Sequence, residues 1–443
     1  MTRLFGTDGV RGIANKDLTA ELAFKIGQAG ATVLSKGKGG VFIIGKDTRI
    51  SGAMFEAALA AGICSVGSNV LNVGVLPTPA IAYLTKALKA DGGVVISASH
   101  NPAEYNGIKF FGPDGFKLPD QVEDDIQANL DSEKDLPTGP SIGTVKVDGK
   151  AADLYVDHVV NTITGSLEGL KVAIDCGHGA AYRVSPLVFR QLGAEVKAVN
   201  TSPNGMNINL GCGSTYVDYI QEIVTSHDVN VGFAHDGDAD RVIAVDENGE
   251  VVDGDFIMAV CATHLKERGM LPKSAIVTTV MANLGFDIAM KKHGIDVVKT
   301  KVGDRYVLEE MLARNISIGG EQSGHIIFLE HNTTGDGIIT ALQLASVMVQ
   351  TGKKLSELKK IMKKLPQVLI NVKVKRIHGW QEIAIIRESI AKAETELQDR
   401  GRILVRPSGT EPLIRVMVES DTSDNAGFVA HSIANIIRQE IGF

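Results

Sequence analysis

The stretch VFIIGKDTRISGAMFEAALAAGICSVGSNVL, residues 41–71, contains the pattern on which the fold depends. An apolar run at 41–44 precedes a polar loop at 47–52, a helical stretch at 54–61, a glycine-rich turn and a second apolar run at 70–71. Buried strands that alternate with helices are typical of βαβ units. The stretch therefore predicts an α/β domain with a mixed or parallel sheet.

Two further copies of this pattern follow along the chain. The second has an apolar run at 172–174, a polar loop at 175–179 and a helical stretch near 186–192. The third has an apolar run at 275–277 and a helix that passes through Met290. Three related α/β domains are therefore expected in succession.

The C-terminal part has a different pattern. It predicts strands at 368–374, 402–405 and 414–418, a helix at 380–397 and a last helix after Asp421. Strands and helices in this order are typical of a smaller α+β domain.

The length of 443 residues exceeds what one hydrophobic core supports, since cores stop growing near ~250–300 residues. The predicted fold is three related α/β domains with mixed sheets, followed by the smaller α+β domain. The expected domain bounds are 1–150, 151–252, 253–366 and 367–443.

Charge and composition limit the classes of partner. The chain has 45 Lys and Arg against 52 Asp and Glu, a net charge of −7, which argues against nucleic acid or an anionic membrane as the main partner. A lysine cluster at 353–364 indicates a solvated helix face. The first residues contain no apolar signal segment, no run of ~18 apolar residues occurs, and the four cysteines form no Cys-x-x-Cys pair. A cytoplasmic enzyme with reduced, buried cysteines and a small-molecule substrate is expected.

The first of four chemically informative segments is Ser97-Ala98-Ser99-His100-Asn101-Pro102, directly after the apolar run 94–96. The proline disfavours a helix at Asn101, so the segment predicts a loop that exposes a hydroxyl at a strand end. A serine can carry a covalent phosphoryl group if neighbouring groups neutralise the phosphate. A polar turn without function is the alternative.

The second segment is His235-Asp236-Gly237-Asp238-Ala239-Asp240-Arg241, between two apolar runs. Three carboxylates at alternate positions suit a hard cation and repel one another without it. An EF-hand loop is excluded, because Arg241 replaces the glycine of its sixth position and the flanks indicate strands. Magnesium fits better, since it takes few carboxylates together with phosphate and water.

The third segment, 319–325, contains Glu321, Ser323 and His325 at alternate positions. In an extended backbone these three side chains point to the same side. A carboxylate beside a hydroxyl suits the binding of sugar hydroxyls, while a turn with a buried histidine is the alternative.

In the fourth segment, hydroxyls and amides lie beside arginines. It comprises Arg406, Ser408, Gly409 and Thr410, with Arg415 shortly after. Such a loop predicts a phosphate-binding nest, and a simple hairpin loop is the alternative.

The four segments in this order resemble the α-D-phosphohexomutase superfamily over the whole chain. The opening 5–12, FGTDGVRG, and the form GEQSGH of the third segment are similar to its bacterial branch that acts on glucosamine phosphates. The resemblance implies an isomerase that interconverts glucosamine 6-phosphate and glucosamine 1-phosphate for UDP-N-acetylglucosamine and cell-wall precursor synthesis. It also implies that the four domains are arranged around a central active-site cleft. Further implications are a homodimer, one Mg²⁺ per site and a glucosamine or glucose 1,6-bisphosphate as primer or intermediate.

The resemblance also implies roles for individual residues. Ser99, rather than Ser97, carries the phosphoryl group. The implied catalytic residues are Ser99, His100, Lys109, Arg11 and Arg241. The implied metal ligands are Ser99, Asp236, Asp238 and Asp240. The implied substrate-binding residues are Glu321, Ser323, His325, Arg406, Ser408, Gly409, Thr410 and Arg415.

Two rival functions remain at this stage. A phosphoglucomutase or phosphomannomutase of the same superfamily shares all four segments and differs in recognition at C2. A non-catalytic regulator that binds sugar phosphates needs the third and fourth segments, but it has no need for the aspartates.

Overall fold

The computed structural model describes residues 3–6, 8–408 and 412–443, apart from the side chain of Asp399. The described residues form two compact units. The first contains the chain up to Met281 together with Gly294–Ile361, and the second contains Ala282–His293 and Met362–Phe443.

The N-terminal part of the first unit forms a mixed sheet. Its elements are β1 (Val10–Ile13), α1 (Ala20–Leu34), β2 (Val41–Lys46), α2 (Gly52–Ser65), β3 (Asn69–Val75), α3 (Thr78–Ala87), β4 (Gly92–Ile96), β5 (Tyr105–Phe111), α4 (Asp120–Ala128) and β6 (Val145–Val147). The strand order is β1-β5-β4-β2-β3-β6. Strands β2, β3, β4 and β6 pair in parallel, and β5 is antiparallel to both neighbours. All five residues of β4 are buried, which agrees with a central strand covered on both faces.

The second α/β segment contains a hairpin that presents the aspartate cluster. Its elements are α5 (Ala151–Val160), β7 (Lys171–Asp175), α6 (Ala181–Gln191), β8 (Glu195–Val199), α7 (Val217–Ser226), β9 (Val231–His235), β10 (Val242–Asp246) and β11 (Val251–Val252). The strand order is β11-β10-β9-β7-β8. Because β9 and β10 are antiparallel neighbours, residues 236–241 form the turn between two buried strands.

The third α/β segment repeats the alternation of strands and helices with a smaller sheet. Its elements are α8 (Gly254–Glu267), β12 (Ala275–Thr279), α9 (Leu284–Lys292), β13 (Asp296–Thr300), α10 (Asp304–Arg314), β14 (Ile318–Gly320), β15 (Ile326–Phe328), α11 (Gly337–Thr351) and α12 (Leu355–Leu358). The strand order is β13-β12-β14-β15, parallel except for the last pair.

The C-terminal part has an antiparallel sheet. Its elements are β16 (Gln367–Lys373), α13 (Ala384–Leu397), β17 (Gly401–Pro407), β18 (Leu413–Ser420) and α14 (Ser423–Ile441), with strand order β16-β18-β17. Its core joins strand residues such as Val416 to α14 residues such as Ala430 and Ile433. The predicted α+β architecture is confirmed. The helix predicted from residue 380 begins later, because Trp380–Glu382 forms a 3₁₀ turn before α13.

The state of the cysteines agrees with the sequence prediction. All four cysteines are free and buried, and burial raises the pKa of the Cys261 thiol to about 12. Within the described residues, no helix combines the length and apolarity needed to cross a membrane.

A close backbone approach joins the loop after β7 to the turn that holds the aspartates. The amide of Ala180 donates to the carbonyl oxygen of Gly237 at 2.8 Å. A Cβ on Gly179 would lie 2.4 Å from that oxygen. Only a residue without a side chain therefore fits at position 179.

We predict that Gly179→Ala lowers the free energy of unfolding by about 1–3 kcal/mol, because the added methyl group displaces the backbone of the aspartate turn. Urea unfolding of wild type and variant measures the difference. Gly149→Ala is the matched control, since a Cβ there meets nothing within 4 Å. Equal stability of the two variants would contradict the close approach.

Candidate active site

Ser99 lies in the loop directly after β4 and faces the second α/β segment. Its φ of 53° is in the left-handed region, which is uncommon for serine. The expected exposure of the hydroxyl is wrong, since Ser99 is only 1% exposed. Its Oγ instead donates to Asp236 Oδ2 at 2.6 Å. The loop thus brings the candidate carrier against the aspartate cluster.

The three aspartates converge as the sequence predicts. Asp236, Asp238 and Asp240 are buried, and each offers a carboxylate oxygen within 4.8 Å of the others. Among the described residues, the buried Oδ1 atoms of Asp238 and Asp240 have no hydrogen-bond partner. Unsatisfied hard oxygens of this kind fit a divalent cation. The flanking strands confirm the exclusion of an EF-hand.

The cluster is electrostatically unbalanced. Burial and the charges of Asp240 and Asp238 raise the pKa of Asp236 well above its usual value. Burial also opposes ionisation of Asp240, but His325, Lys109 and Arg241 outweigh it and lower the pKa of that carboxyl. A bound cation would relieve the repulsion that acts on Asp236.

A buried lysine connects the cluster to the N-terminal loop. The Nζ of Lys109 lies 2.9 Å from Asp238 Oδ2 and 2.8 Å from Asp8 Oδ2. Asp8 also accepts from the guanidinium of Arg11. Burial disfavours the charge of Lys109, but the carboxylates of Asp238 and Asp8 raise its pKa. Lys109 is therefore a fixed cation at the site and not a free base.

A second lysine, which is partly buried, extends this charge network to the third α/β segment. The Nζ of Lys117 lies 2.6 Å from Asp8 Oδ1 and also binds the carboxylate of Asp304, the first residue of α10. His325 lies 3.5 Å from both Asp304 and Asp240. Alternating charges thus link three chain segments around the aspartates.

Two predicted catalytic residues lie beside Ser99 and the aspartate cluster. His100 Nδ1 lies 3.5 Å from Ser99 Oγ, and burial together with Arg241 and Arg11 lowers its pKa, which favours neutral imidazole. The backbone amide of Arg241 donates to Asp236 Oδ1 at 3.2 Å, and its guanidinium lies 3.7 Å from Asp240.

Residues 319–325, the third chemical segment, form a turn, which agrees with the alternative of a turn that holds a buried histidine and not with an extended backbone. The amide of Gly324 donates to the carbonyl oxygen of Glu321, and the amide of Glu321 donates to that of His325. As a result His325 is buried at 2% exposure, whereas Ser323 is exposed. Glu321 Oε1 accepts from the amide of Gly303 at 3.1 Å, next to Asp304.

The fourth segment lies in the second unit. Arg406 on β17 is directly opposite Arg415 on β18. Burial and the charge of Arg415 lower the pKa of Arg406. The buried Oγ of Ser408 has no hydrogen-bond partner among the described residues. This arrangement suits an anion; Gly409 and Thr410, which were predicted to share the role, lie outside the described residues.

Four family profiles match almost the whole chain. They are described as phosphoglucomutase/phosphomannomutase alpha/beta/alpha domains I, II and III and C-terminal domain, and they match residues 2–136, 153–249, 253–365 and 369–436.

Full-length relatives indicate which member family within this group the chain belongs to. The chain is 56% identical to the phosphoglucosamine mutase of Symbiobacterium thermophilum and 55% identical to that of Alkaliphilus oremlandii, with both chains covered completely in each comparison. The chain belongs to the phosphoglucosamine mutase family of isomerases.

Solved structures of phosphohexomutases share the fold. A phosphoglucomutase/phosphomannomutase family protein from Burkholderia thailandensis has a TM-score of 0.84 at 23% identity, with 100% of both chains covered. The N-acetylphosphoglucosamine mutase of Aspergillus fumigatus, solved with GlcNAc-6P and magnesium, has a TM-score of 0.71 at 19% identity, with 98% of this chain and 95% of that chain covered.

Sequence reasoning about this phosphoglucosamine mutase family member missed Lys117 and Asp304. Neither lies in one of the four segments, and the two are distant in sequence. Asp8 lies within the opening 5–12 that carries the resemblance, so its motif was a usable signal. Thr78, whose hydroxyl donates to Asp238 Oδ2 at 2.6 Å, was also missed.

We predict that Lys117→Met lowers the free energy of unfolding by about 1–3 kcal/mol near pH 7, because it leaves the partly buried carboxylates of Asp8 and Asp304 without their shared cation. In the folded wild type the pKa values of both carboxyls are lowered. The stabilisation is therefore present above the unfolded pKa and is lost as the pH falls through the lowered values. Removing Lys117 raises both pKa values, so the deficit shrinks toward pH 4. Urea unfolding at both pH values measures this.

The matched control is Lys25→Met. Lys25 also has two carboxylate partners, Asp131 at 2.9 Å and Glu21 at 3.6 Å, but these groups are exposed. Its loss should leave the free energy of unfolding nearly unchanged. A Lys117→Met deficit that stays constant between the two pH values would contradict the charge network.

Proposed function

We propose that the enzyme interconverts glucosamine 6-phosphate and glucosamine 1-phosphate with Ser99 as the phosphoryl carrier. The observation that carries this proposal is the 2.6 Å hydrogen bond from Ser99 Oγ to Asp236, within a buried cluster of three carboxylates. A hydroxyl that only caps a turn has no need for such neighbours. The name shared by the full-length relatives supports the choice of substrate.

Two opposite transfers at one centre complete the reaction. The phosphoryl group leaves the phosphorylated Oγ of Ser99 and bonds to O1 of glucosamine 6-phosphate, whose hydroxyl proton goes to a base. The resulting 1,6-bisphosphate turns over, and its 6-phosphoryl group bonds to Ser99 Oγ while O6 regains a proton. The product is glucosamine 1-phosphate, and the phosphoserine is restored. His100, held neutral beside Ser99, is the candidate base.

Fixed cations support this transfer. Phosphoryl transfer depends mainly on positioning and on charge stabilisation. Lys109 and Arg241 lie beside the aspartates, and Arg11, paired with Asp8, interacts electrostatically with Asp238 and Asp240, so all three supply positive charge for the transferring group. The unsatisfied carboxylate oxygens of Asp238 and Asp240 fit Mg²⁺, with Asp236 and phosphorylated Ser99 as the other ligands. When bound, Mg²⁺ neutralises charge on the phosphate and the carboxylates.

Two further segments are assigned to substrate binding. Glu321 and Ser323 bind the sugar hydroxyls, for which a carboxylate and an exposed hydroxyl on one turn are suited. Arg406, Arg415 and Ser408 in the second unit bind the phosphate that is not being transferred. The proposal also includes a homodimer, a 1,6-bisphosphate primer, a cytoplasmic location and the supply of cell-wall precursors. It keeps the domain bounds given above.

The two rival functions require different features of the site. A regulator that only binds sugar phosphates has no use for a serine held against a metal-type cluster. A phosphoglucomutase or phosphomannomutase keeps every feature of the transfer centre, so recognition at C2 is what distinguishes it.

We predict that Ser99→Ala lowers kcat with glucosamine 6-phosphate and Mg²⁺ by more than about 1,000-fold, because the carrier oxygen is lost. Peptide mapping by mass should locate phosphate on Ser99 in the wild type after incubation with glucose 1,6-bisphosphate. Ser68→Ala is the control. It removes a similarly buried hydroxyl from the same N-terminal α/β sheet region and should keep full activity. An active Ser99→Ala enzyme would refute the carrier role.

We also predict that kcat/KM for glucosamine 6-phosphate exceeds the values for glucose and mannose 6-phosphates by about tenfold or more, because groups placed for one C2 substituent are left unpaired by another. Coupled assays at saturating Mg²⁺ measure the three values. Equal values would instead favour a broad phosphohexomutase.

A further inference from the structure

Arg49 lies beneath the Ser99 loop and makes an unusually complete set of hydrogen bonds. Its side chain is fully buried. Nη2 donates to the carbonyl oxygens of Ser99 at 2.9 Å and Asn101 at 2.8 Å. Nη1 donates to those of Tyr105 at 3.0 Å and Pro102. One guanidinium therefore holds three carbonyls of the loop that joins β4 to β5 and that of Tyr105, the first residue of β5.

A buried carboxylate and a hydroxyl complete the support. Asp47 Oδ2 accepts from Arg49 Nε at 2.8 Å and from Ser97 Oγ at 2.6 Å. Ser97 Oγ in turn accepts from the backbone amide of Ser99 at 2.9 Å. Both the amide and the carbonyl of Ser99 are thus held by one connected network.

This network holds a backbone conformation that serine disfavours. The left-handed φ of Ser99 persists only where surrounding contacts determine it. Asn209 adds two contacts from the second α/β segment, since its Nδ2 donates to the carbonyl oxygens of Ser99 at 2.9 Å and Asn101 at 3.2 Å. Arg49 differs because it also binds two further carbonyls. Among the described side chains, Arg49 therefore makes the most hydrogen bonds to the backbone around Ser99.

We propose that Arg49 is a positioning residue for phosphoryl transfer, which aims Ser99 Oγ at the aspartate cluster through Asp47, Ser97 and the loop carbonyls. The inference rests on the proposed carrier role of Ser99. Arg49 does not contact the hydroxyl itself, and none of its hydrogen bonds involves Glu321 or Ser323. Its loss should therefore slow the transfer step and leave substrate binding intact.

The test is Arg49→Lys, which keeps a positive charge near Asp47 but cannot hold four carbonyls. We expect kcat for glucosamine 6-phosphate to fall about 100-fold, with KM within about threefold, because a displacement of about 1 Å has this effect on positioned groups. Phosphorylation of Ser99 by glucose 1,6-bisphosphate, followed by intact mass in single-turnover mixing, should slow by a similar factor. Ser97→Ala should show the same split with a smaller decrease, and it carries the test if Arg49→Lys does not fold.

Arg49→Met and Lys359→Met form a matched pair, because each leaves a buried aspartate, Asp47 or Asp246, without its cation. Both should lower the melting temperature, but only Arg49→Met should lower kcat per folded enzyme. Normal kcat in Arg49→Lys and Ser97→Ala would overturn the positioning role and leave the carrier role intact. Activity in Ser99→Ala would instead refute the proposed function on which this inference rests.

Discussion

The mutual repulsion of three buried aspartates is the constraint on which this site depends. Asp236, Asp238 and Asp240 occupy one turn between β9 and β10, where burial removes the screening that water provides. Lys109 and His325 approach the turn from two other chain segments and offset part of its charge. The close packing of the first three α/β segments is therefore required electrostatically as well as by their apolar cores.

The buried charges and the strained backbone of Ser99 both bear on how a phosphoryl group would be held at this site. A phosphoryl group carries negative charge, so its carrier must sit where cations already converge, and it must be kept from water. Ser99 meets both conditions, since it is buried and its hydroxyl touches the cluster. The Asp47–Arg49 pair holds the loop from the other side. The proposed transfer centre is thus built from groups that the fold already holds in position, which is the general basis of electrostatic catalysis.

The sequence predicted the aspartate turn and the serine loop correctly because each is a local pattern. Alternating carboxylates between two apolar runs indicate a hairpin with clustered oxygens, and a proline after Ser99 indicates a loop. The sugar turn was predicted less well. The sequence left open either an extended backbone or a turn with a buried histidine, and Gly324 at φ 91° allows the turn, which buries His325 while Ser323 is exposed. Alternate spacing in sequence indicates a shared face only where the backbone is a strand.

The order of strands and helices, the mixed sheets, the four chemical segments and the family follow from the sequence alone, because they depend on periodicity and on residue types close along the chain. The pairing of Lys117 with Asp304, the support of Ser99 by Arg49 and the burial of its hydroxyl were decided only by the tertiary structure. These contacts join residues far apart in the chain. Their stability depends on charged and polar groups that are buried next to one another. That environment exists only in the folded chain and is not a property of either residue by itself.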